Sequence, residues 1–153
     1  MPDALTFSLA TEKDLPAIIA MLADDTLGAG RENTSDDNLP KYIQAFKKIE
    51  ADPNQELTIA RLNGIPVATF QLTFIQYLTY KGGIRALIEA VRVRSGYRGQ
   101  GIGRQLFAYA INRAKEKGCH MVQLTSDKQR PDAIRFYQSL GFVASHEGMK
   151  LKL

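Results

Sequence analysis

The chain lacks most of the features that mark secreted and membrane proteins. Its 153 residues contain one cysteine, Cys119, and no tryptophan. A lone cysteine cannot form an internal disulfide, which favours a reducing intracellular compartment. The longest apolar stretch near the N-terminus, residues 16–22, is far shorter than a membrane span, and no basic leader precedes it. We therefore expect a cytoplasmic protein without a membrane segment.

Repeats, low-complexity tracts and linkers are also missing, which predicts one domain over residues 1–153. His146 has no accompanying cluster of ligand residues, so no metal is predicted. No helix-turn-helix or zinc-finger spacing occurs, and the arginines do not alternate with aromatic residues. Nucleic acid is therefore disfavoured as a partner.

What the sequence does have is a strong charge asymmetry. Residues 1–80 carry 6 Lys and Arg against 11 Asp and Glu, a net charge of −5, whereas residues 81–153 carry 14 against 5, a net charge of +9. The field of the second half would attract a multiply charged anion.

A glycine-rich segment in this basic half predicts where that anion binds. It follows an extended run over residues 84–93 and precedes an amphipathic helix, and it reads Arg98-Gly99-Gln100-Gly101-Ile102-Gly103-Arg104. The first N–H groups of a helix lack intrahelical partners, and glycines let a phosphate reach them. A turn that binds no ligand is the simpler interpretation, but such a turn needs fewer than the three glycines found in the five residues 99–103. A pyrophosphate site is predicted.

The spacing of the glycines discriminates between cofactors. Leu106 stands where the dinucleotide fingerprint G-x-G-x-x-G requires its third glycine, and Gly103-Arg104-Gln105 lacks the Lys-Ser/Thr of a P-loop. The pattern R/Q-x-x-G-x-G/A does fit, and it resembles the acetyl-CoA pyrophosphate loop of the GCN5-related N-acetyltransferase (GNAT) superfamily. The resemblance implies that residues 98–104 bind acetyl-CoA, and that the backbones of Val91 and Val93 pair with its pantetheine arm.

The predicted order of elements, β-α-α-β-β-β-α-β-α-β, is also similar to the GNAT fold. This is an α/β fold whose mixed sheet has flanking helices and central strands that splay apart. The last strands are predicted within residues 142–153, where Met149, Leu151 and Leu153 alternate with polar residues.

Two residues are candidates for the chemistry of acetyl transfer. Glu89, in Ile88-Glu89-Ala90-Val91-Arg92-Val93, matches a GNAT strand whose glutamate often acts as the base, and burial in this apolar run would raise its pKa. A structural carboxylate paired with Arg85 or Arg92 is the alternative. Tyr137, within a segment similar to A-x-x-F-Y-x-x-L-G-F, is the candidate acid for the departing thiolate. Many family members have an asparagine where this chain has Arg130. A cofactor contact made by that asparagine is therefore not expected at Arg130.

The amine acceptor is predicted from the family resemblance rather than from a motif of its own. The resemblance implies a small-molecule or peptide amine held by residues 26–37 and residues 76–81, and it is compatible with a homodimer. The following acids could attract a cationic amine or form a solvated surface: Asp24, Asp25, Glu32, Asp36 and Asp37. A non-catalytic acyl-CoA sensor coupled to transcription remains the alternative function.

Overall fold

The computed structural model describes residues 4–25 and 27–153. It divides into two compact units, Met1–Gln123 and Leu124–Leu153. The first unit contains a five-stranded sheet with the order β1-β2-β3-β4-β5, antiparallel except for the parallel pair β4 and β5. The predicted mixed sheet is thereby confirmed. No described helix has both the length and the apolarity to cross a bilayer.

The strands are β1 (Leu5–Leu9), β2 (Gln55–Leu62), β3 (Ile65–Gln76), β4 (Ile84–Val93) and β5 (Met121–Gln123). The helices of the first unit are α1 (Leu15–Ala23), α2 (Leu39–Ala51), the single turn α3 (Thr79–Gly82) and α4 (Ile102–Glu116). The second unit contains α5 (Pro131–Ser139). Short 3-10 turns lie at Glu12–Asp14, Gly28–Gly30 and Asp36–Asn38.

Helices cover both faces of the sheet. Ile59 packs with buried residues of α1 and α2, such as Ile18 and Phe46. Its neighbour Thr58 points to the opposite face, because successive side chains of a strand alternate. Phe70 pairs with Thr58 there, and its ring contacts Tyr109 of α4 at 6.2 Å. The face of α1 and α2 and the face of α4 are therefore distinct surfaces.

Local sequence signals place most element ends correctly. Asn63 and Gly64 have φ values of 51° and 81°, as a tight hairpin turn between β2 and β3 requires. Gly118, with φ 75°, ends α4 in a left-handed cap, and the Cys119 amide donates to the Ala114 carbonyl. The sequence predicts both ends: Gly118 lies just past the apolar repeat of one helix, and Pro131 suits the first position of the next, where it begins α5.

Two predicted strands differ from the structure. The run over residues 67–80 is rich in Thr, Ile, Val, Phe and Tyr and predicts one strand, but β3 ends at Gln76, because Tyr80 and Lys81 adopt left-handed φ values of 53° and 59°. The closing strands within residues 142–153 are wrong: no strand forms there, and Met149 and Leu151 are 92% and 88% exposed. Alternation supplies a strand pattern, but a strand also needs a hydrogen-bonding neighbour.

A capping box before α1 anchors that helix to the sheet. The Asp14 carboxylate accepts a hydrogen bond of 2.9 Å from the Thr11 amide and forms an ion pair with Arg61 of β2. Burial raises the pKa of Asp14, but the bonds from Thr11 and Arg61 outweigh burial, so that the pKa lies below its ordinary value of 3.8. Asp14 therefore stabilises the fold above that pH.

Asp14→Asn should lower the free energy of unfolding by about 1–3 kcal/mol at pH 7, because Arg61 loses a half-buried counter-charge. The lowered pKa predicts that the difference from the wild type shrinks as the pH falls below 3.8, where wild-type Asp14 takes up a proton. Urea denaturation across this pH range measures both effects. Exposed Glu12→Gln is the control, and an equal loss in both variants would contradict the anchoring role.

Candidate acyl-CoA site

A bulge in β4 sets the geometry of the candidate site. Gln71 of β3 pairs with Glu89, but Thr69 pairs with Arg92, so β4 holds one extra residue between these pairs. Ala90 lies in this bulge with φ 54°. A bulge bends its strand and reverses which face the following side chains occupy. Glu89 and Arg92 consequently lie on the same face, that of α1 and α2.

Beyond the bulge, β4 has no β5 neighbour. The two strands pair only from Arg85 with Met121 to Leu87 with Gln123. The rest of β4, up to Val93, therefore offers backbone groups on its β5 side, which agrees with the predicted splay. The carbonyls of Val91 and Val93 accept hydrogen bonds from the guanidinium groups of Arg92 (2.9 Å) and Arg98 (3.0 Å).

The glycine loop continues directly from this free end of β4. Gly99 and Gly101 have φ values of 77° and 80°, and a Cβ atom built on either would meet nothing within 4 Å. These glycines are thus required by backbone conformation, and open space lies beside them. Gly101 caps α4, whose first carbonyl bond joins the Gln105 amide to the Gly101 carbonyl. The structure brings the loop residues predicted to bind the cofactor, 98–104, together at the N-terminus of α4.

Two ion pairs hold this region against the end of α1. Arg92 Nε lies 3.0 Å from an Asp25 oxygen, and Arg98 Nη2 lies 3.6 Å from an Asp24 oxygen. Arg98 also donates to the Asp24 carbonyl at 3.1 Å. These two acids thus pair with arginines next to the loop. Thr26 and the side chain of Asp36, which belong to the predicted acceptor region, lie outside the described residues.

Glu89 is exposed, so the burial predicted from the apolar run is wrong. An apolar run in the sequence contains residues of both faces of β4, so it does not indicate which of them is exposed. Glu89 lies beyond Leu87, the last β4 residue that pairs with β5. Neither arginine considered as a structural partner pairs with it, since Arg92 binds Asp25 and Arg85 contacts Gln123. Its cross-strand neighbour is Gln71, which donates to the Gln55 amide oxygen at 2.7 Å. Gln71 carries no sequence signal that predicts this position.

Tyr137 lies in the second compact unit, on α5. It is half-buried, and the centroid of its ring lies 5.7 Å from that of Phe136 and 6.2 Å from that of Phe142. The Phe142 amide donates to the Tyr137 carbonyl, which closes the helix onto the following Gly141-Phe142 pair. The segment similar to A-x-x-F-Y-x-x-L-G-F is therefore a locally packed helix end.

Other reactive side chains lie outside this arrangement. Burial raises the pKa of the Cys119 thiol, and the charge of Lys117 offsets only part of this effect, which disfavours the nucleophilic thiolate. Within residues 4–25 and 27–153, no three His, Cys, Asp or Glu side chains gather as a metal site.

Two cavities flank α1. The smaller, of about 110 Å³, lies between α1, α2 and the sheet and reaches Gln71 and Ala90. The larger, of about 680 Å³, is lined by α1 and by Arg94 and Ser95, where β4 leads into the glycine loop. Small-molecule sites span roughly 300–1,000 Å³, so only the larger has the volume of such a site.

Comparison with known proteins confirms the family resemblance found in the sequence. Residues 17–142 match the model of the acetyltransferase (GNAT) family. The chain is 36% identical over 95 residues to aminoalkylphosphonate N-acetyltransferase of Salmonella typhimurium, which covers 62% of this chain and 61% of that protein. The chain thus spans about three fifths of this curated relative.

Solved structures share the fold over nearly the whole chain. A transcriptional regulator from Bacillus halodurans C-125 is 53% identical, with a TM-score of 0.94 over 98% of this chain and 100% of that one. A protein of Clostridium acetobutylicum, described as a predicted acetyltransferase and solved with acetyl-CoA, has a TM-score of 0.75 at 23% identity, over 97% of this chain and 96% of that one, which shows the fold alone.

Proposed function

Because the chain belongs to the acetyltransferase (GNAT) family, we propose that it transfers an acetyl group from acetyl-CoA to a primary amine within a ternary complex. The observation that carries this proposal is the free end of β4 running into a glycine loop at a helix N-terminus. The family match, over residues 17–142, begins in the first compact unit and extends into the second, which supports one acetyltransferase domain over residues 1–153. A cytoplasmic location and a homodimer stay predictions.

The loop residues suit a pyrophosphate. Amides at the start of α4 and the helix dipole attract anionic oxygens, and the open space beside Gly99 and Gly101 admits them. Arg98 and Arg104 would add charge, while the backbones of Val91 and Val93 would bind the pantetheine arm as a neighbouring strand does. Gln100 and Ile102 would contribute through their backbone positions in the loop.

Acetyl-CoA supplies an acetyl thioester that an amine can attack. We assign Glu89 as the base that takes a proton from the acceptor ammonium, directly or through water, because it is exposed and has no carboxylate-binding partner among the described residues. Tyr137 would donate a proton to the departing thiolate. This second role depends on the similarity of its segment to the family pattern.

The acceptor class is a small amine. The relative from Salmonella typhimurium is named for aminoalkylphosphonate, and a relative from Trypanosoma brucei brucei for glucosamine 6-phosphate. Both names describe a primary amine that also carries an anionic group.

A regulatory function is the second candidate, because the Bacillus halodurans protein, at 53% identity, is described as a transcriptional regulator. This candidate predicts acyl-CoA binding without turnover, and salt-sensitive binding to duplex DNA. The enzymatic proposal predicts thiol release when acetyl-CoA is mixed with a panel of amines. Thiol release by the purified chain would therefore exclude a purely regulatory role.

Gly101→Asp should weaken CoA binding about a hundredfold or more and abolish thiol release, because a carboxylate would enter the space proposed for the phosphates and repel them. Gly118→Asp is the matched control, since Gly118 caps the other end of α4 with a similar φ of 75° and equally open surroundings. Calorimetry with CoA measures both variants. Equal affinities in Gly101→Asp and Gly118→Asp would show that the cofactor binds elsewhere.

Glu89→Gln should lower kcat/KM about 10- to 1,000-fold near pH 7, because the acceptor then lacks its base. The deficit should shrink as the pH approaches the pKa of the amine, since that substrate arrives already deprotonated. A pH–rate profile measures this, with the exposed Glu50→Gln on α2 as the control. A Glu89→Gln enzyme with the wild-type profile would remove Glu89 from the mechanism.

A further inference from the structure

Arg85 of β4 is a half-buried arginine without a carboxylate partner among the described residues. Three other half-buried arginines of the first unit each contact an acid: Arg61 binds Asp14, Arg92 binds Asp25 and Arg113 binds Glu56. A charge that is partly withdrawn from water is normally compensated by such a partner. Arg85 therefore has an unused capacity to bind an anion.

Aromatic rings hold this guanidinium in a fixed orientation. Its central carbon lies 4.9 Å from the centroid of the Tyr77 ring and 5.2 Å from that of the Tyr80 ring. Nη1 donates to the Gln123 amide oxygen at 3.1 Å, while Nε is buried and has no acceptor. The Nη2 group has no acceptor among the described residues, and a planar guanidinium stacked in this way is preorganised to bind an oxyanion there.

The hairpin between β3 and β4 is built around this arrangement. Tyr80 reaches Arg85 from a left-handed backbone, with φ 53°, which few non-glycine residues adopt. The Tyr80 ring also stacks on His120 at 4.8 Å. His120 in turn lies so close to Gly83 that a Cβ atom there would be 2.5 Å from its Nδ1. These residues bring no negative charge, so the cluster favours an anion.

Arg85 and Glu89 share one face of β4. Both precede the bulge and are four residues apart, so their Cα atoms are separated by about 13 Å of strand. Between them on this face lie Leu87 of β4 and Gln123 of β5, whose register partner is Leu87. A single acceptor can therefore extend along the face from one charged group to the other.

We propose that Arg85 binds an anionic group of the acceptor while Glu89 receives its amine, so that the substrate class is a primary amine carrying a phosphate, phosphonate or carboxylate. This inference rests on the proposed function, because it takes the acceptor to be acetylated beside Glu89. Arg85 acts as a specificity-determining residue: it selects the acceptor and leaves the transfer step unchanged.

The test compares ω-aminoalkylphosphonates of increasing chain length with ω-amino alcohols of the same lengths. Wild-type enzyme should show a higher kcat/KM for the phosphonates, with an optimum at one chain length. Arg85→Gln should raise KM for the phosphonates about 10- to 100-fold, as expected for loss of a charged hydrogen bond, and leave kcat and the amino alcohols nearly unchanged. Arg135→Gln, at an exposed arginine of α5, is the matched control.

Arg85→Lys keeps the charge and should give an intermediate KM, because an ammonium lacks the planar, stacked donors. If Arg85→Gln does not fold, Arg85→Lys takes its place in the comparison of KM values. Equal losses for phosphonates and amino alcohols in either variant, or a wild-type enzyme that does not prefer phosphonates, would overturn the proposal.

The binding of phosphonates, measured without turnover, tests the Arg85 site independently of the proposed acetyl transfer. If no amine releases thiol, the proposed function fails, and calorimetry of the same phosphonates without acetyl-CoA still tests Arg85. Binding that is lost in Arg85→Gln and retained in Arg135→Gln supports the anion site. Equal binding by wild type and Arg85→Gln contradicts it.

Discussion

The left-handed backbone of Ala90, with φ 54°, inserts one extra residue into β4, and the arrangement of the first unit near the loop follows from that bulge. Because of it, Glu89 and Arg92 occupy one face, and Arg92 can reach Asp25 at the end of α1. The strand bends where β5 stops pairing with it, so that the last part of β4 lies beside an open edge. A non-glycine residue in this conformation is strained, and such strain is often retained at functional sites.

Charge is distributed along β4 in an order that suits a two-substrate reaction. At one end, Arg85 lies against the rings of Tyr77 and Tyr80 and contacts the Gln123 amide. Glu89 follows in the middle, exposed beside the bulge. At the other end, the glycine loop and the N-terminus of α4 present backbone donors and positive potential. An anionic cofactor and an anionic acceptor would thus bind at opposite ends of one strand and meet near its only carboxylate.

The sequence predicted features that depend on local chemistry, and it missed those that depend on tertiary pairing. The limits of β4, the helix after the glycine loop and the caps at Gly118 and Pro131 follow from periodicity and from special backbone needs. The bulge was not predicted, because alanine carries no signal for a positive φ. Exposure of Glu89 depends on where β5 ends. The ion pair between Arg92 and Asp25 joins segments that are distant in the sequence. Residues 142–153 have the alternating pattern of a strand, but no neighbouring strand pairs with them.

Hydrogen exchange of the whole chain, with and without CoA, tests most directly whether the free end of β4 and the glycine loop form the cofactor site. The account predicts that CoA slows exchange in peptides covering residues 91–104, because their amides then bind the pantetheine arm and the phosphates. Exchange in β2 (Gln55–Leu62), away from the loop, should stay the same. CoA that binds but leaves residues 91–104 unchanged, or protects only another segment, would contradict this account.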